Sequence, residues 1–250
     1  MRIAIVSDIH GNMSALEAVR ADLQQMAPDL IVHGGDLAHA GADPAGVIDQ
    51  IRSLGWQGVL GNTDEMLFSP VSFQEFADRT PGVQPLRAAI EEMTADAREA
   101  LGEERLAWLR TLPRVFLQPS FALVHASPAS LWHAPIPEAG DPELESVYGP
   151  LGRNLAVYGH IHRSYIRRLL PTTEAAGVAG GTRTVVNTGS VSLSHDGDRR
   201  ASYLLLDHAE PQIRRVEYDI DRELRALAVC GLAHAAWTAK ILASARPQLP

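Results

Sequence analysis

Side chains that bind metal ions stand at five places in the sequence, and each place follows a short apolar run. Asp8 and His10 lie two residues apart, which is weak evidence alone because Asp8 suits a simple turn equally well. The arrangement gains weight because it recurs along the chain. The set comprises two carboxylates, one amide oxygen and four imidazoles: Asp8, His10, Asp36, Asn62, His125, His160 and His162.

The apolar runs before these residues predict β-strands, so the candidate ligands lie on the loops that follow strands. In the first third of the chain, strands alternate with predicted helices at 14–26 and 44–54. A Ser14–Glu17 capping box would begin the first helix, and Asp43 would cap the second. This alternation is typical of a parallel sheet. Loops at the carboxyl ends of such strands open onto one crevice, so distant residues can meet there.

Seven ligands suffice for two metal ions if one carboxylate bridges them. Mixed nitrogen and oxygen ligands favour Mn, Fe, Co, Ni or Zn over Ca or Mg. Two divalent ions bring four positive charges, of which two aspartates and a bridging hydroxide remove three. The remaining charge favours an anionic substrate, and two ions about 3.5–4 Å apart can clamp a phosphoryl group during in-line attack.

The rest of the chain predicts elements that support this crevice. Apolar residues at three- and four-residue steps predict an amphipathic helix over 86–101, with a second helix over 103–112. Closing helices are predicted within 219–246. Without a linker or repeat, we expect one domain over 1–250. Short strands are predicted at 114–118, 121–124, 155–158, 165–170, 183–187, 201–206 and 212–218.

Composition excludes several classes of protein. The chain has 250 residues, with 46% hydrophobic and 21% charged residues, as expected of a globular protein with a sizeable core. Its net charge of −8 argues against an extended nucleic-acid surface. No apolar run approaches the roughly 20 residues that cross a membrane, and Asp8 interrupts the apolar start, so we expect a cytoplasmic protein. Cys230 is the only cysteine, which excludes an intramolecular disulfide.

The five motifs, in their order, resemble those of the calcineurin-like metallophosphoesterase superfamily. The resemblance covers roughly 1–206. The run 187–191, followed by 196–201, also resembles the small bacterial branch of that superfamily, which groups near phosphodiesterases and diadenosine-tetraphosphatase-like proteins. The motifs stand here as Asp8-Ile9-His10, Gly35-Asp36, Gly61-Asn62-Thr63-Asp64, His125 and Gly159-His160-Ile161-His162.

The resemblance implies an α/β fold, a four-layer α/β/β/α sandwich of two mixed β-sheets flanked by helices. It also implies two divalent transition-metal ions, Mn foremost and Fe, Zn, Co or Ni as alternatives. The first ion would be held by Asp8, His10, Asp36 and His162. The second would be held by Asp36, Asn62, His125 and His160, with Asp36 as the bridge.

The implied activity is hydrolysis of a small phosphoester, with a nucleotide among the candidates, through a metal-bound hydroxide. We expect a phosphodiesterase. The alternatives are a phosphomonoesterase, a dinucleoside polyphosphate hydrolase and, from another class, a non-catalytic protein-binding scaffold. A non-catalytic scaffold would be expected to have lost some of the metal ligands, and none of the motif ligands is missing from this sequence.

The sequence departs from the family pattern at Thr63, where many members have a histidine thought to protonate the leaving group. A hydroxyl is a poor general acid at neutral pH. The remaining catalytic candidates are Asp64, whose histidine partner is absent, and His10, which is also a candidate ligand.

Four residues are candidates for binding substrate: Asn12, Thr63, His39 and Arg163. Asn12 precedes a helix, where anions bind, but suits a turn equally well. An exposed loop position is an equal alternative for His39, and a surface ion pair is the alternative for Arg163. His33 is expected to be a core-edge histidine bonded to the backbone. Surface or structural positions are expected for His133, His195, His208 and His234.

Overall fold

A computed structural model describes residues 1–79, 83–170 and 183–250 of the chain. In these residues the strands form two five-stranded sheets. The strands are β1 (Arg2–Val6), β2 (Leu30–His33), β3 (Gln57–Gly58), β4 (Val115–Leu117), β5 (Ala122–Val124), β6 (Leu155–Tyr158), β7 (Tyr165–Arg168), β8 (Thr184–Asn187), β9 (Ala201–Asp207) and β10 (Glu210–Val216). The α-helices are α1 (Met13–Met26), α2 (Pro44–Ser53), α3 (Asn62–Met66), α4 (Pro70–Arg79), α5 (Gln84–Leu109), α6 (Asp141–Tyr148), α7 (Ile220–Val229) and α8 (Ala235–Ser244).

Both sheets are mixed. The first has the order β10-β9-β1-β2-β3, in which β1, β2 and β3 run parallel and β9 pairs antiparallel to its neighbours. The second has the order β4-β5-β6-β8-β7, with a parallel centre of β5, β6 and β8 between antiparallel edge strands. Each sheet therefore has a set of parallel strands whose carboxyl ends lie at one edge.

One apolar layer lies between the sheets. Successive residues of a strand face opposite sides, so β1 directs Ile3 and Ile5 inward, where they pack with Leu123 of β5 and Val157 of β6. All four residues are almost fully buried. This packing fixes the two sheets face to face.

Helices cover the two outer faces. Val6 of β1 faces outward and packs in one cluster with Leu16 and Val19 of α1, as well as with residues of α2 and α5. On the other side, Val124 of β5 packs against Tyr148 of α6. The predicted four-layer α/β/β/α sandwich of two mixed sheets flanked by helices is confirmed.

One local prediction needed correction, two helices were not predicted, and one predicted break is confirmed. The first helix begins at Met13, and its N-cap is Asn12, whose side chain accepts from the Ala15 amide; the predicted Ser14–Glu17 capping box was wrong. The short α3 and the helix α4 were not predicted. The break between the predicted helices at 86–101 and 103–112 appears as a kink within α5 at Gly102, where φ is 65°.

The C-terminal helices α7 and α8 pack on each other and on the segment after Asp36, through Ala40 and Ala42. Their buried side chains include Leu227 and Leu242. Among the described residues, no helix combines the length and apolar character that crossing a bilayer requires.

Candidate metal centre

The five ligand-bearing loops meet at one edge of the sandwich. They follow β1, β2 and β3 of the first sheet and β5 and β6 of the second, all at carboxyl ends. Hydrogen bonds join the loops of the two sheets there: the His160 backbone amide donates to the Asp8 carboxylate at 3.1 Å, and the Val191 amide donates to the Ser7 carbonyl at 3.0 Å. The crevice therefore belongs to both sheets.

One group of side chains has the donor set of a metal site. Four ligand atoms, from Asp8, His10, Asp36 and His162, all lie within 4.8 Å of one another, and all four residues are buried. His162 Nε2 is 3.1 Å from Asp8 Oδ1, and His10 Nε2 is 3.7 Å from Asp36 Oδ2. One ion could be held between them.

A second group adjoins the first. Asn62 Oδ1 lies 2.7 Å from His125 Nε2 and 2.9 Å from His160 Nδ1. His125 Nε2 is also 3.5 Å from Asp36 Oδ1. The two oxygens of Asp36 thus face the two groups, one each.

Backbone carbonyls fix the orientation of three imidazoles. The Nδ1 atoms of His10, His125 and His162 donate to the carbonyls of His39, Gly34 and Leu193 at 2.9, 2.8 and 2.5 Å. A carbonyl only accepts, so each Nδ1 carries the proton, and a neutral ring then presents a bare Nε2 to the crevice. Such an outer contact is typical of metal-binding histidines.

This orientation tests whether the residues fit a cation. His10 Nε2 and His162 Nε2 are 3.2 Å apart, so two lone pairs face each other unless a cation lies between them or His162, whose pKa is raised against burial by the Asp8 charge, carries a second proton. A positive charge between them, with Asp8 and Asp36 beside it, removes the repulsion. The donor set therefore fits a transition-metal ion.

The backbone at the candidate ligands is strained. Five of the seven have a positive φ, the region that residues other than glycine rarely adopt. Left-handed residues cost roughly 1–2 kcal/mol each and cluster at functional sites. They are Asp8 (58°), His10 (50°), Asp36 (53°), His160 (68°) and His162 (55°).

Two glycines allow the loops to approach this closely. A Cβ on Gly61 would lie 2.1 Å from Asp36 Oδ1, and a Cβ on Gly159 would lie 2.4 Å from Asp8 Oδ2. Any side chain at these positions would displace a candidate ligand. The Gly-Asn and Gly-His pairs of the motifs are thus explained by close backbone approach.

Burial and the neighbouring charges set the protonation of the group. Burial lowers the pKa of His10 well below its usual value, and burial with the nearby His125 lowers the pKa of His160 to about 3. Burial opposes the charged form of Asp8, but the His162 imidazole outweighs it and holds the pKa of Asp8 below its usual range. Burial and the Asp8 charge raise the pKa of Asp36. His10 and His160 are therefore neutral and can act as ligands at neutral pH.

The residues at the position of the missing histidine point inward. Asp64 accepts from the Leu37 amide at 2.8 Å and from the Gly61 amide at 3.3 Å, and burial raises its pKa to about 7. The Thr63 amide donates to Asp36 Oδ1 at 2.9 Å. The Thr63 hydroxyl is buried without a partner of standard hydrogen-bond geometry, though it lies close enough to lower the pKa of Asp36. Asp64 is thus a positioning residue for two ligand loops.

The other predicted substrate contacts are engaged elsewhere. Asn12 is fully buried as the cap of α1, and its Nδ2 donates to Ser192 Oγ at 3.1 Å. The Arg163 guanidinium pairs with Glu138 at 3.3 Å, as the surface alternative predicted.

His39 is not the exposed loop residue that was one alternative. Its ring is 2% exposed and lies 3.3 Å from Thr94 Oγ1 of α5, and burial lowers its pKa to about 4. Its backbone carbonyl orients His10. The ring therefore has almost no surface from which to reach a substrate.

Two other histidines differ from expectation. His33 is fully buried, but the predicted bond to the backbone was wrong, because neither ring nitrogen has a hydrogen-bond partner among the described residues. His195 lies at the site, with its ring 4.6 Å from the ring of His162. Burial lowers the pKa of His195 to about 3. No periodicity or motif marked this residue in the sequence.

A family model for the calcineurin-like phosphoesterase superfamily domain matches residues 1–211. The chain belongs to this superfamily. The family is one of metal-dependent phosphoesterases, and the cluster of Asp and His residues around Asp36, which could bind a metal ion, lies within the matched range. The resemblance stated from the motifs is confirmed.

Two curated relatives extend the comparison. An uncharacterized protein of Methanocaldococcus jannaschii is 28% identical over 232 residues, covering 88% of this chain and 89% of the relative. A symmetrical bis(5'-nucleosyl)-tetraphosphatase of Methylococcus capsulatus is 32% identical over 154 residues, covering 59% of this chain and 50% of the relative. The second match is thus limited to part of both chains.

Solved structures share the whole fold. The crystal structure of a metallophosphoesterase from Sphaerobacter thermophilus matches with a TM-score of 0.77 at 25% identity, covering 98% of this chain and 99% of that one. A hypothetical protein from Pyrococcus horikoshii matches with a TM-score of 0.78 at 18% identity, covering 96% and 97%. The second likeness concerns the fold alone.

Proposed function

We propose that this phosphoesterase family member is a phosphodiesterase that uses a dinuclear metal centre. The observation that carries the proposal is the position of Asp36, whose two carboxylate oxygens face two adjoining groups of candidate ligands. The substrate is a small phosphoester, and the metals are divalent transition-metal ions, Mn foremost.

The ligand assignment follows the two groups. Asp8, His10, Asp36 and His162 would hold the first ion. Asp36, Asn62, His125 and His160 would hold the second. When bound, the two ions supply an activated water and a positive site for phosphoryl oxygens.

The chain's own residues orient and insulate these ligands. The carbonyls of His39, Gly34 and Leu193 hold three imidazoles in one tautomer, and Asp64 ties the Asp36 loop to the Asn62 loop. Burial keeps water from competing for the ligand atoms. Thr63 stands where a proton donor would serve the leaving group, and its hydroxyl is too weak an acid for that role.

We expect the metal-saturated protein to contain two transition-metal ions per chain. Seven donors, six of them buried, with one shared carboxylate can complete two coordination shells, and a single ion would leave one group without a cation. Elemental analysis after removal of loosely bound metal gives the stoichiometry. A value of one ion or fewer per chain in Mn-saturated protein would contradict the dinuclear assignment.

The reaction class is tested with metal-stripped protein reloaded with Mn²⁺ and a panel of substrates. The panel contains aryl phosphodiesters, aryl monoesters, cyclic nucleotides and dinucleoside polyphosphates. A kcat/KM that is highest for the diesters supports the proposal. Highest activity on monoesters would replace it with a phosphomonoesterase, and no turnover of any substrate would favour a scaffold.

A second candidate, hydrolysis of dinucleoside polyphosphates, is favoured by the similarity to the Methylococcus capsulatus tetraphosphatase. It predicts that diadenosine tetraphosphate exceeds every aryl diester in kcat/KM. The partial coverage of that match is the reason we place it second.

A further inference from the structure

The loop after β8 is built onto His162. The Leu193 carbonyl accepts from His162 Nδ1 at 2.5 Å, and the His195 amide donates to the His162 carbonyl at 3.0 Å. His195 is thus attached to a candidate ligand through its backbone. Its position relative to the metal centre is fixed by the same bonds that orient His162.

The His195 ring lies beside the ring of that ligand. The two ring centroids are 4.6 Å apart with an interplanar angle of 32°, while His162 Nε2 faces Asp8 at 3.1 Å. The His195 residue is half-buried, and no hydrogen bond joins its ring to a described residue. An imidazole whose ring nitrogens are free therefore lies next to His162, at the edge of the ligand cluster.

Side-chain bonds hold the loop in place. Ser194 Oγ donates to Asp196 Oδ1 at 2.6 Å, and Asp196 pairs with Arg215 of β10. Arg215 also donates to Ser164 Oγ at 2.6 Å, just beyond His162. A residue on such a loop can act as a positioned group, since little ordering remains to be done on binding.

The centre otherwise lacks a free donor for an anion among the predicted substrate contacts. Asn12 is used as a helix cap, His39 is buried against Thr94, and Arg163 pairs with Glu138 on the surface. Thr63 offers only a hydroxyl beside Asp36. Among these polar groups, His195 alone combines a place at the ligand cluster with an unused N–H.

We propose that the His195 imidazole binds the phosphoryl group of the substrate, donating a hydrogen bond to a phosphoryl oxygen beside His162. This inference rests on the proposed phosphoesterase function, since it takes the ligand at this crevice to be a phosphate ester. His195 contacts the anion and leaves metal binding to the seven ligands.

The test compares His195→Ala and His195→Gln with the parent in Mn-loaded protein. Calorimetric titration with inorganic phosphate gives an affinity that does not depend on turnover. Hydrogen bonds to charged groups contribute about 1.5–3 kcal/mol, so His195→Ala should weaken phosphate binding by about tenfold to a hundredfold. His195→Gln keeps an amide donor. Its loss of phosphate affinity, on a logarithmic scale, should be less than half of the loss in His195→Ala.

Matched measurements separate this role from a structural one. His208→Ala removes an imidazole that is 85% exposed on the turn between β9 and β10, at the opposite end of β1, and should change nothing. Metal content and the thermal unfolding midpoint should match the parent in all three variants. With an aryl diester, His195→Ala should raise KM more than it lowers kcat.

Unchanged phosphate affinity in His195→Ala would overturn the inference. Loss of metal comparable to that in His162→Ala would also overturn it, because His195 would then support the ligand and not the substrate. Failure of the proposed function looks different. Suppose that the parent turns over no phosphoester but binds phosphate, and that His195→Ala weakens that binding. The proposed contact between His195 and the anion would then be supported, and the proposed phosphodiesterase activity would be contradicted.

Discussion

Asp36→Asn should lower kcat/KM by about 10³-fold and reduce the metal content of the protein below that of His125→Ala. Loss of a residue that only supports a metal ligand typically costs about 10–100-fold in metal affinity or activity, so loss of a shared ligand charge should cost more, and Asp36 faces both metal groups whereas His125 faces one. The asparagine keeps an oxygen for the Thr63 amide, so the loop should fold normally. Kinetics and elemental analysis of both variants measure the difference.

Asp49→Asn is the matched control, because it makes the same change of charge at an exposed ion pair with Arg105. It should retain parental metal content and activity, since exposed pairs contribute about 1 kcal/mol or less even to stability. Equal metal retention in Asp36→Asn and His125→Ala would show that Asp36 does not bridge two ions.

The second large effect is expected at Thr63. Without a strong acid beside Asn62, the leaving oxygen departs with little help from a proton, so rates should depend steeply on the leaving group's own pKa. Diesters of acidic phenols should therefore react far faster than alkyl monoesters. General acid catalysis contributes about 10²–10⁴-fold, so Thr63→His should accelerate esters with poor leaving groups and change activated aryl esters much less.

Asp64 limits the size of this gain. Its two oxygens accept from the Leu37 and Gly61 amides, so it would have to give up one bond to orient a new imidazole. We therefore expect the lower end of the range, about 10²-fold. Thr63→Gln, which adds bulk without an acid, is the control, and kcat/KM over a series of aryl and alkyl esters is the measurement. A flat dependence on leaving-group pKa in the parent, with chemistry rate-limiting, would show that another residue donates the proton.

The sequence alone determined the candidate ligands and the class of fold. Each ligand follows a strand that is visible in the sequence as a short run of apolar residues. Predicted helices between the strands indicate parallel pairing. The order of the motifs then implied the four-layer sandwich, which the two packed sheets confirm. These features were readable because burial and secondary structure leave a periodic pattern in neighbouring residues.

The directions of side chains near the site could not be predicted from the pattern of apolar residues. Asn12 and Ser14 are both good helix caps, and only the observed bond to Ala15 decides between them. His39 was placed on a loop near the ligands, but α5 packs over it and buries its ring against Thr94. In both cases the outcome depends on chain segments or local angles that the pattern of residue types does not encode.

The tertiary structure alone decided how the ligands are held and what lies beside them. The positive φ angles at Asp8, His10 and Asp36 occur where the loops after β1 and β2 bond to each other, with the His10 amide donating to the Asp36 carbonyl, and no local propensity favours them. His195 reaches His162 because the loop after β8 folds back across the carboxyl end of β6. Such contacts join residues that are distant in sequence, so they form only after the sheets have packed. The ligand motifs could be recognised from the sequence because each is short and local.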